Sequence, residues 1–245
     1  MIALITDLHF GFKNCSDKIF ESQMMFFEEQ FFPYLIEHDI KEVICAGDIT
    51  HDRVSIDWKI LNALKERFFS FFDNNGITFH LLIGNHDLLE KDSLDHHSAN
   101  TLFHGYSKLF YYNKITTIQI ESYLVGFIPW QTDRTLVLPK ADILFLHADI
   151  IGAKMNSKKD STKGFDPSIF KYYTKVFSGH YHSISKIGNV QYLGSPYQYD
   201  WGDCGEQRGF WILKDNYELE FIENKVSPKF VKLIYSEDEI ELVGI

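Results

Sequence analysis

Apolar and polar positions follow two regimes along the chain. Over the first 83 residues, short apolar runs alternate with long stretches whose apolar positions recur every three or four residues. Residues 2–6, 43–46 and 78–83 have the length and the largely apolar character of strands buried on both faces. Between them, residues 17–38 and 56–74 carry the period of amphipathic helices. Ser16 or Asp17 can cap the first helix, and the run Asn74, Asn75, Gly76 ends the second. Pro33 is expected to kink or end the first helix, and the many Phe residues around it are expected to pack on a sheet. The order β-α-β-α-β predicts a parallel sheet with right-handed crossovers.

The second half changes character. Residues 115–128 read as a hairpin turning near Glu121 and Ser122. Residues 142–147 and 175–179 read as buried strands, and shorter strands are expected near 184–193, 208–213 and 217–222. This predicts a second, more antiparallel sheet packed on the first. Residues 1–224 are expected to form one domain, with 225–245 as a short C-terminal extension.

Polar groups at the ends of buried strands are costly unless something satisfies them. Here they recur. Asp7 and His9 follow the first strand, Asp48 the second, and Asn85, His86 and Asp87 the third. His147 closes the strand at 142–147, and His180 and His182 follow the one at 175–179. Ligands of parallel sheets collect at the carboxyl ends of strands, so these groups should meet on one rim. Oxygen and imidazole donors without thiolate suit Mn²⁺, Fe²⁺, Zn²⁺ or Mg²⁺. One ion rarely takes so many protein ligands and keeps an open position. Two ions sharing a carboxylate, roughly 3.5–4 Å apart, fit the count better. His80 reads instead as a satisfied core or edge histidine, and His38, His96, His97 and His104 as surface or loop residues.

Composition narrows the setting. With 245 residues, 45% of them hydrophobic, the chain can bury a sizeable core. It has no apolar stretch of the ~18 residues a membrane helix needs. The opening MIALITDLHF has no basic region before its apolar run and reads as a first strand, not a signal peptide. Cys15, Cys45 and Cys204 are odd in number and far apart, so a reducing cytoplasm is expected. A net charge of −10 argues against a generally basic nucleic-acid surface. The loop 152–165, with Lys154, Lys158, Lys159 and Lys163, is either a local phosphate contact or a solvated loop.

Five separated motifs carry a resemblance. Asp7-Leu-His9, Gly47-Asp48, Gly84-Asn85-His86-Asp87, the strand-end His147 and Gly179-His180-Tyr181-His182 stand in the order of the calcineurin-like metallophosphoesterases. The resemblance implies a four-layer α-β-β-α sandwich of two mixed sheets flanked by helices. It implies that Asp7, His9, Asp48 and His182 hold one divalent ion and Asp48, Asn85, His147 and His180 the other. His86 would stabilise the transition state and protonate the leaving oxygen, with Asp87 as its orienting partner.

Three local features resemble the double-strand-break repair nucleases of the SbcD and bacteriophage recombination type. His51 stands three residues after Asp48, where such nucleases place a catalytic His. The segment 192–213 carries Gly194-Ser195-Pro196 and then Arg208-Gly209-Phe210. Tyr197, Tyr199 and Trp201 lie between, either to stack on bases or to pack the second sheet. By this resemblance the chain is a Mn²⁺-dependent exonuclease and endonuclease acting on DNA in repair, recombination or replication. Lys158, Lys159 and the three aromatics are its candidate substrate contacts, and a homodimer and an SMC-like ATPase its partners. The related nucleases continue into a capping domain, so residues 225–245 are expected to be a vestigial or truncated cap. A small-molecule phosphodiesterase or phosphatase of the same fold is the alternative, and a non-catalytic scaffold a third reading.

Overall fold

The computed structural model describes residues 1–91, 93–130, 137–156, 159–235 and 240–243. Six strands form the first sheet: β1 (Ile2–Ile5), β2 (Glu42–Cys45), β3 (Thr78–Leu82), β4 (Leu109–Tyr112), and, much later in the chain, β13 (Gly209–Leu213) and β14 (Leu219–Glu223). Their order is β14-β13-β1-β2-β3-β4. β1 to β4 run parallel, and β13 is antiparallel to both its neighbours.

The second sheet holds β5 (Thr116–Ile120), β6 (Tyr123–Ile128), β7 (Ile143–His147), β10 (Lys175–Gly179), β11 (Ser185–Ile187) and β12 (Val190–Tyr192), in the order β11-β12-β10-β7-β6-β5. Its four central strands are parallel, and β5 and β11 are antiparallel edges. The strands near 208–213 and 217–222 therefore extend the first sheet, and the second sheet is mixed rather than mainly antiparallel. Pairing across some 200 residues of sequence is set by shared burial, which local periodicity does not encode. β4, which the sequence pattern does not mark, closes the far edge of the first sheet.

Two short ribbons lie outside these sheets. One pairs β8 (Lys154–Asn156) with β9 (Lys159–Asp160), the other β15 (Lys232–Tyr235) with β16 (Ile240–Val243).

Side chains alternate as strands require. Ala3, Ile5, Val43, Cys45, Phe79 and Leu81 face the long helices, while Ile2, Leu4, Ile44 and Leu82 face the second sheet. Val125, Phe127, Ile143 and Phe145 meet them from the opposite side. Leu144, Leu146, Val176 and Val190 turn outward, under a segment that includes Phe170 of the 3₁₀ helix Pro167–Phe170. The architecture is two mixed sheets flanked by helices, long on one face and short on the other. No helix among the described residues is long and apolar enough to cross a membrane.

Both long helices contain a π-helical turn. The first runs as Asp17–Phe26, the π turn Phe27–Phe31 and Phe32–Glu37. It does not stop at Pro33. The wider turn just before the proline shifts the hydrogen-bond register where the ring supplies no N–H. The second runs as Trp58–Ala63, Leu64–Phe69 and Ser70–Asn74, capped by Asp57, whose carboxylate accepts the Lys59 N–H at 2.7 Å. Between these helices and the sheet, Phe20, Phe26, Phe27, Phe31, Phe68 and Phe72 are buried with Phe79 and Phe210. His80 is the satisfied buried histidine expected: its ring lies 2.7 Å from the Tyr112 hydroxyl and 2.8 Å from Glu42.

Candidate metal centre

All the parallel strands release their chains at one rim. The loops after β1 and β2 continue side by side past the strand ends. Asp7 N–H donates to Gly47 O, His9 N–H to Asp48 O, and His51 N–H to Phe10 O. The loop after β3 joins them through Asp87. Its buried carboxylate accepts N–H bonds from Gly84, Asp48, Ile49 and Thr50 at 2.9–3.2 Å. Glycine is required at 84, where a Cβ would strike the Asp48 carboxylate, and at 179, where it would strike Thr6 and Ala46.

This packing forces the ligands into strained backbone. Asp7, His9 and Asp48 have φ of 53°, 44° and 56°, and His180 has 91°. Left-handed non-glycine residues cost about 1–2 kcal/mol each and persist only where surroundings over-determine them. The braces are visible. Tyr199 OH donates to Asp7 O and Tyr197 OH to Leu8 O, both at 2.6 Å, and Gln23 Nε2 donates to Leu8 O at 2.9 Å. Of the two roles the sequence left open for Tyr197 and Tyr199, base stacking or packing, both residues are buried supports, and they brace the loop after β1. Tyr199→Phe should keep the ring contacts and lose the hydroxyl, costing about 1–2 kcal/mol in urea unfolding because a buried carbonyl is left without its donor. Unchanged stability would contradict the brace.

Two groups of ligand atoms result, each within 4.8 Å: Asp7 with His9 and His182, and Asp48 with His147 and His180. Asp48 Oδ2 lies between them, 3.7 Å from His9 Nε2 and 3.3 Å from His147 Nε2. Asn85 Oδ1 completes the second group, 3.1 Å from His147 Nε2 and 2.9 Å from His180 Nδ1. His9 Nε2 and His182 Nε2 face each other at 3.0 Å. All seven ligand positions expected from the sequence therefore converge.

The donor set fits cations. His147 Nδ1–H donates to Ala46 O at 2.7 Å, so its Nε2 faces only acceptors. His180 Nε2–H donates to Asp149 at 3.0 Å, so its Nδ1 lone pair meets the oxygen of Asn85. Burial holds the His9 and His182 imidazoles below their usual range, which favours the neutral, ligating form. At His180 Nδ1 and Asn85 Oδ1 lone pair faces lone pair, which in a site this buried calls for positive charge between them.

Burial alone would raise the Asp48 carboxyl, but His147 holds it well below the carboxylate range. Burial likewise pulls His147 down, and Asp48 overrides it, raising the imidazole to about 9. An ion seated there must displace that proton. Metal binding at pH 7 should release about one proton from His147, and affinity should weaken by about tenfold per pH unit below about 9 through this group. Titration calorimetry in buffers of different ionisation enthalpy measures it; heats independent of buffer would contradict it.

His86 stands beside the first group. Its ring centroid is 4.7 Å from that of His9, and it stacks on His51 at 5.4 Å and 18°. His86 Nδ1–H donates to the His51 carbonyl at 2.6 Å. This corrects the role expected of Asp87: the His51 backbone orients His86, and Asp87 clamps the loops. Burial and the Asp48 charge push Asp87 up to about 7, against the pull of its backbone N–H donors. Burial, then His86, lowers His51. The imidazoles of His9, His51 and His86 form a third close group, open on the His51 and His86 side.

Of the other expected contacts, Trp201 is 59% exposed. It lines a cavity of about 540 Å³ with Lys159, His180, His182 and Lys232. Lys158 lies outside the described residues. Sequence reasoning missed three groups. Asp149 orients His180 and accepts the Tyr181 hydroxyl at 2.5 Å. Trp130 lies against His180, its ring tilted by 46° at 5.0 Å between centroids. Arg208, 4% exposed, donates to the His182 carbonyl, Asp203 and Glu206. Asp149 carries a signal, as a carboxylate two residues past a strand-end His, and Arg208 stands in the Arg-Gly-Phe motif, which gave it no role.

Comparison with known proteins places this geometry. Exonuclease subunit 1 of Enterobacteria phage T4 is 30% identical over 207 residues, which is 81% of this chain. The chain spans 60% of that relative's length. Among solved structures, the phosphoesterase Yfce from E. coli is similar over 100% of this chain and 98% of its own, with a TM-score of 0.43 and 11% identity. A Pseudomonas putida nuclease, MPE, is similar over 86% and 84%, with 0.43 and 14%. The model of the calcineurin-like phosphoesterases matches residues 1–201. The chain belongs to that family and is a hydrolase of phosphoric esters.

Proposed function

We propose that the protein is a DNA nuclease that hydrolyses phosphodiester bonds with two divalent ions, Mn²⁺ first among them, in repair, recombination or replication. The observation that carries the reading is Asp48 Oδ2 set between two ligand groups, with His86 beside them. When bound, the ions supply charge stabilisation for the phosphoryl oxygens and an activated water.

The chain's own residues do the rest. Asp149 and the Ala46 carbonyl fix the tautomers of His180 and His147. Asp48 Oδ1 accepts the His86 N–H at 2.8 Å, tying the catalytic loop to the bridging carboxylate. With Nδ1–H engaged by the His51 carbonyl, Nε2 is the nitrogen from which His86, carrying a second proton as the imidazolium, would pass that proton to the leaving oxygen and be left neutral.

DNA as substrate is supported by the phage relative and by the cavity beside His182. There the indole of Trp201 offers a stacking face, and Lys159 and Lys232 offer charge to phosphates on an otherwise acidic chain. A second copy of the chain and an SMC-like ATPase subunit belong to the same proposal. Turnover of single- and double-stranded DNA with Mn²⁺, against turnover of bis(p-nitrophenyl) phosphate, tests it. DNA cleavage is expected. Hydrolysis of the small ester alone would favour a small-molecule phosphodiesterase.

A further inference from the structure

A second cavity, of about 660 Å³, opens beside His51. It shares no lining residue with the one beside Trp201. His182 stands on the rim of the first and His51 on the rim of the second. Both rings lie close to His9, at 4.9 and 5.3 Å between centroids. Two separate volumes thus adjoin the ligand groups, each in the range of small-molecule sites. A phosphomonoester has one organic group and fills one side. A phosphodiester has two.

The second cavity is built unusually. One wall is the turn from Gly11 to Cys15, in which Gly11, Lys13, Asn14 and Cys15 all have positive φ. Strain of this kind concentrates where a chain clamps a ligand. Phe12 in that turn packs edge-on to His51 at 4.8 Å, and the Lys13 ammonium folds to 5.5 Å from the Phe12 ring. The facing wall ends in Trp58, 77% exposed at the start of the second long helix. The carboxylates of Asp52 and Asp57 turn back onto their own backbone, accepting Val54 and Ser55 N–H and Lys59 N–H. They still disfavour a further phosphate here. The wall suits a flat, uncharged ring.

We infer that this cavity is the subsite for the nucleoside on the leaving side of the scissile phosphate, with Trp58 stacking on its base. The inference rests on the nuclease reading, and on His86 as the group that protonates the leaving oxygen. His86 stacks on His51, so the oxygen it serves lies toward this cavity.

The test compares two substrates that differ only on the leaving side: a thymidine dinucleotide, and the methyl ester of thymidine phosphate, whose methyl group has no ring to stack. Trp58→Ala should lower the ratio of their kcat/KM values, dinucleotide to methyl ester, by about tenfold. Trp58→Phe, which restores a π-face, should recover most of it. A ratio within twofold of wild type in Trp58→Ala would overturn the subsite, as would failure of Trp58→Phe to recover it. If the unmodified protein cleaves bis(p-nitrophenyl) phosphate and no nucleotide diester, the nuclease reading itself fails and takes the subsite with it.

Discussion

Asp48→Asn is expected to reduce turnover of any phosphodiester by roughly 10³-fold or more, and to leave the chain folded. Among the described residues, Asp48 Oδ2 is the carboxylate oxygen that faces both His9 and His147. Losing its charge removes the shared ligand. The ions are asked to supply several kcal/mol of transition-state stabilisation, and about 4 kcal/mol corresponds to about 10³ in rate. The fold should survive because the asparagine oxygen can still accept the His86 N–H. The substitution also removes a charge that pushes Asp87 up, so the clamp ionises more readily. Kinetics on bis(p-nitrophenyl) phosphate and thermal melting with and without Mn²⁺ check both halves. Turnover within tenfold of wild type would contradict the bridge.

His86→Gln should separate chemistry from metal binding. Turnover should fall about 10²–10⁴-fold, the usual range for losing a general acid. Metal affinity should stay within about threefold, because His86 lies outside the two groups that adjoin Asp48 and joins only the third, with His9 and His51, which contains no carboxylate. Glutamine can still donate toward the His51 carbonyl that His86 now engages. The loss should grow as the leaving group becomes more basic, since p-nitrophenolate departs without a proton and a nucleoside alkoxide does not. Equal losses across leaving groups would remove His86 from proton transfer. Loss of metal along with turnover would make it a ligand.

Much of this centre is legible in the sequence, for a physical reason. A buried strand that empties into carboxylates and imidazoles must satisfy them, and parallel strands deliver their ends to one rim. Asp7, His9, Asp48, Asn85, His147, His180 and His182 are legible in that way. What local sequence does not carry is direction and partner. Asp87 adjoins His86 in the chain, yet its carboxylate reaches three N–H groups of the Asp48 loop. Tyr197 and Tyr199 follow a glycine-serine-proline turn, and local sequence leaves base stacking and packing both open to them. Their rings are buried because the strained Asp7 loop needs their hydroxyls. The placement of β13 and β14 is hidden likewise, since a strand's partner depends on which edge is free. Trp58 gives no signal of its own, because a tryptophan near a helix start reads as core, and only its exposure marks it as available.

Anomalous diffraction from crystals grown with Mn²⁺ tests the central claim most directly. Two peaks should flank Asp48 Oδ2, one against Asp7, His9 and His182 and the other against Asn85, His147 and His180. A single peak, or peaks that leave Asp48 unligated, would contradict it.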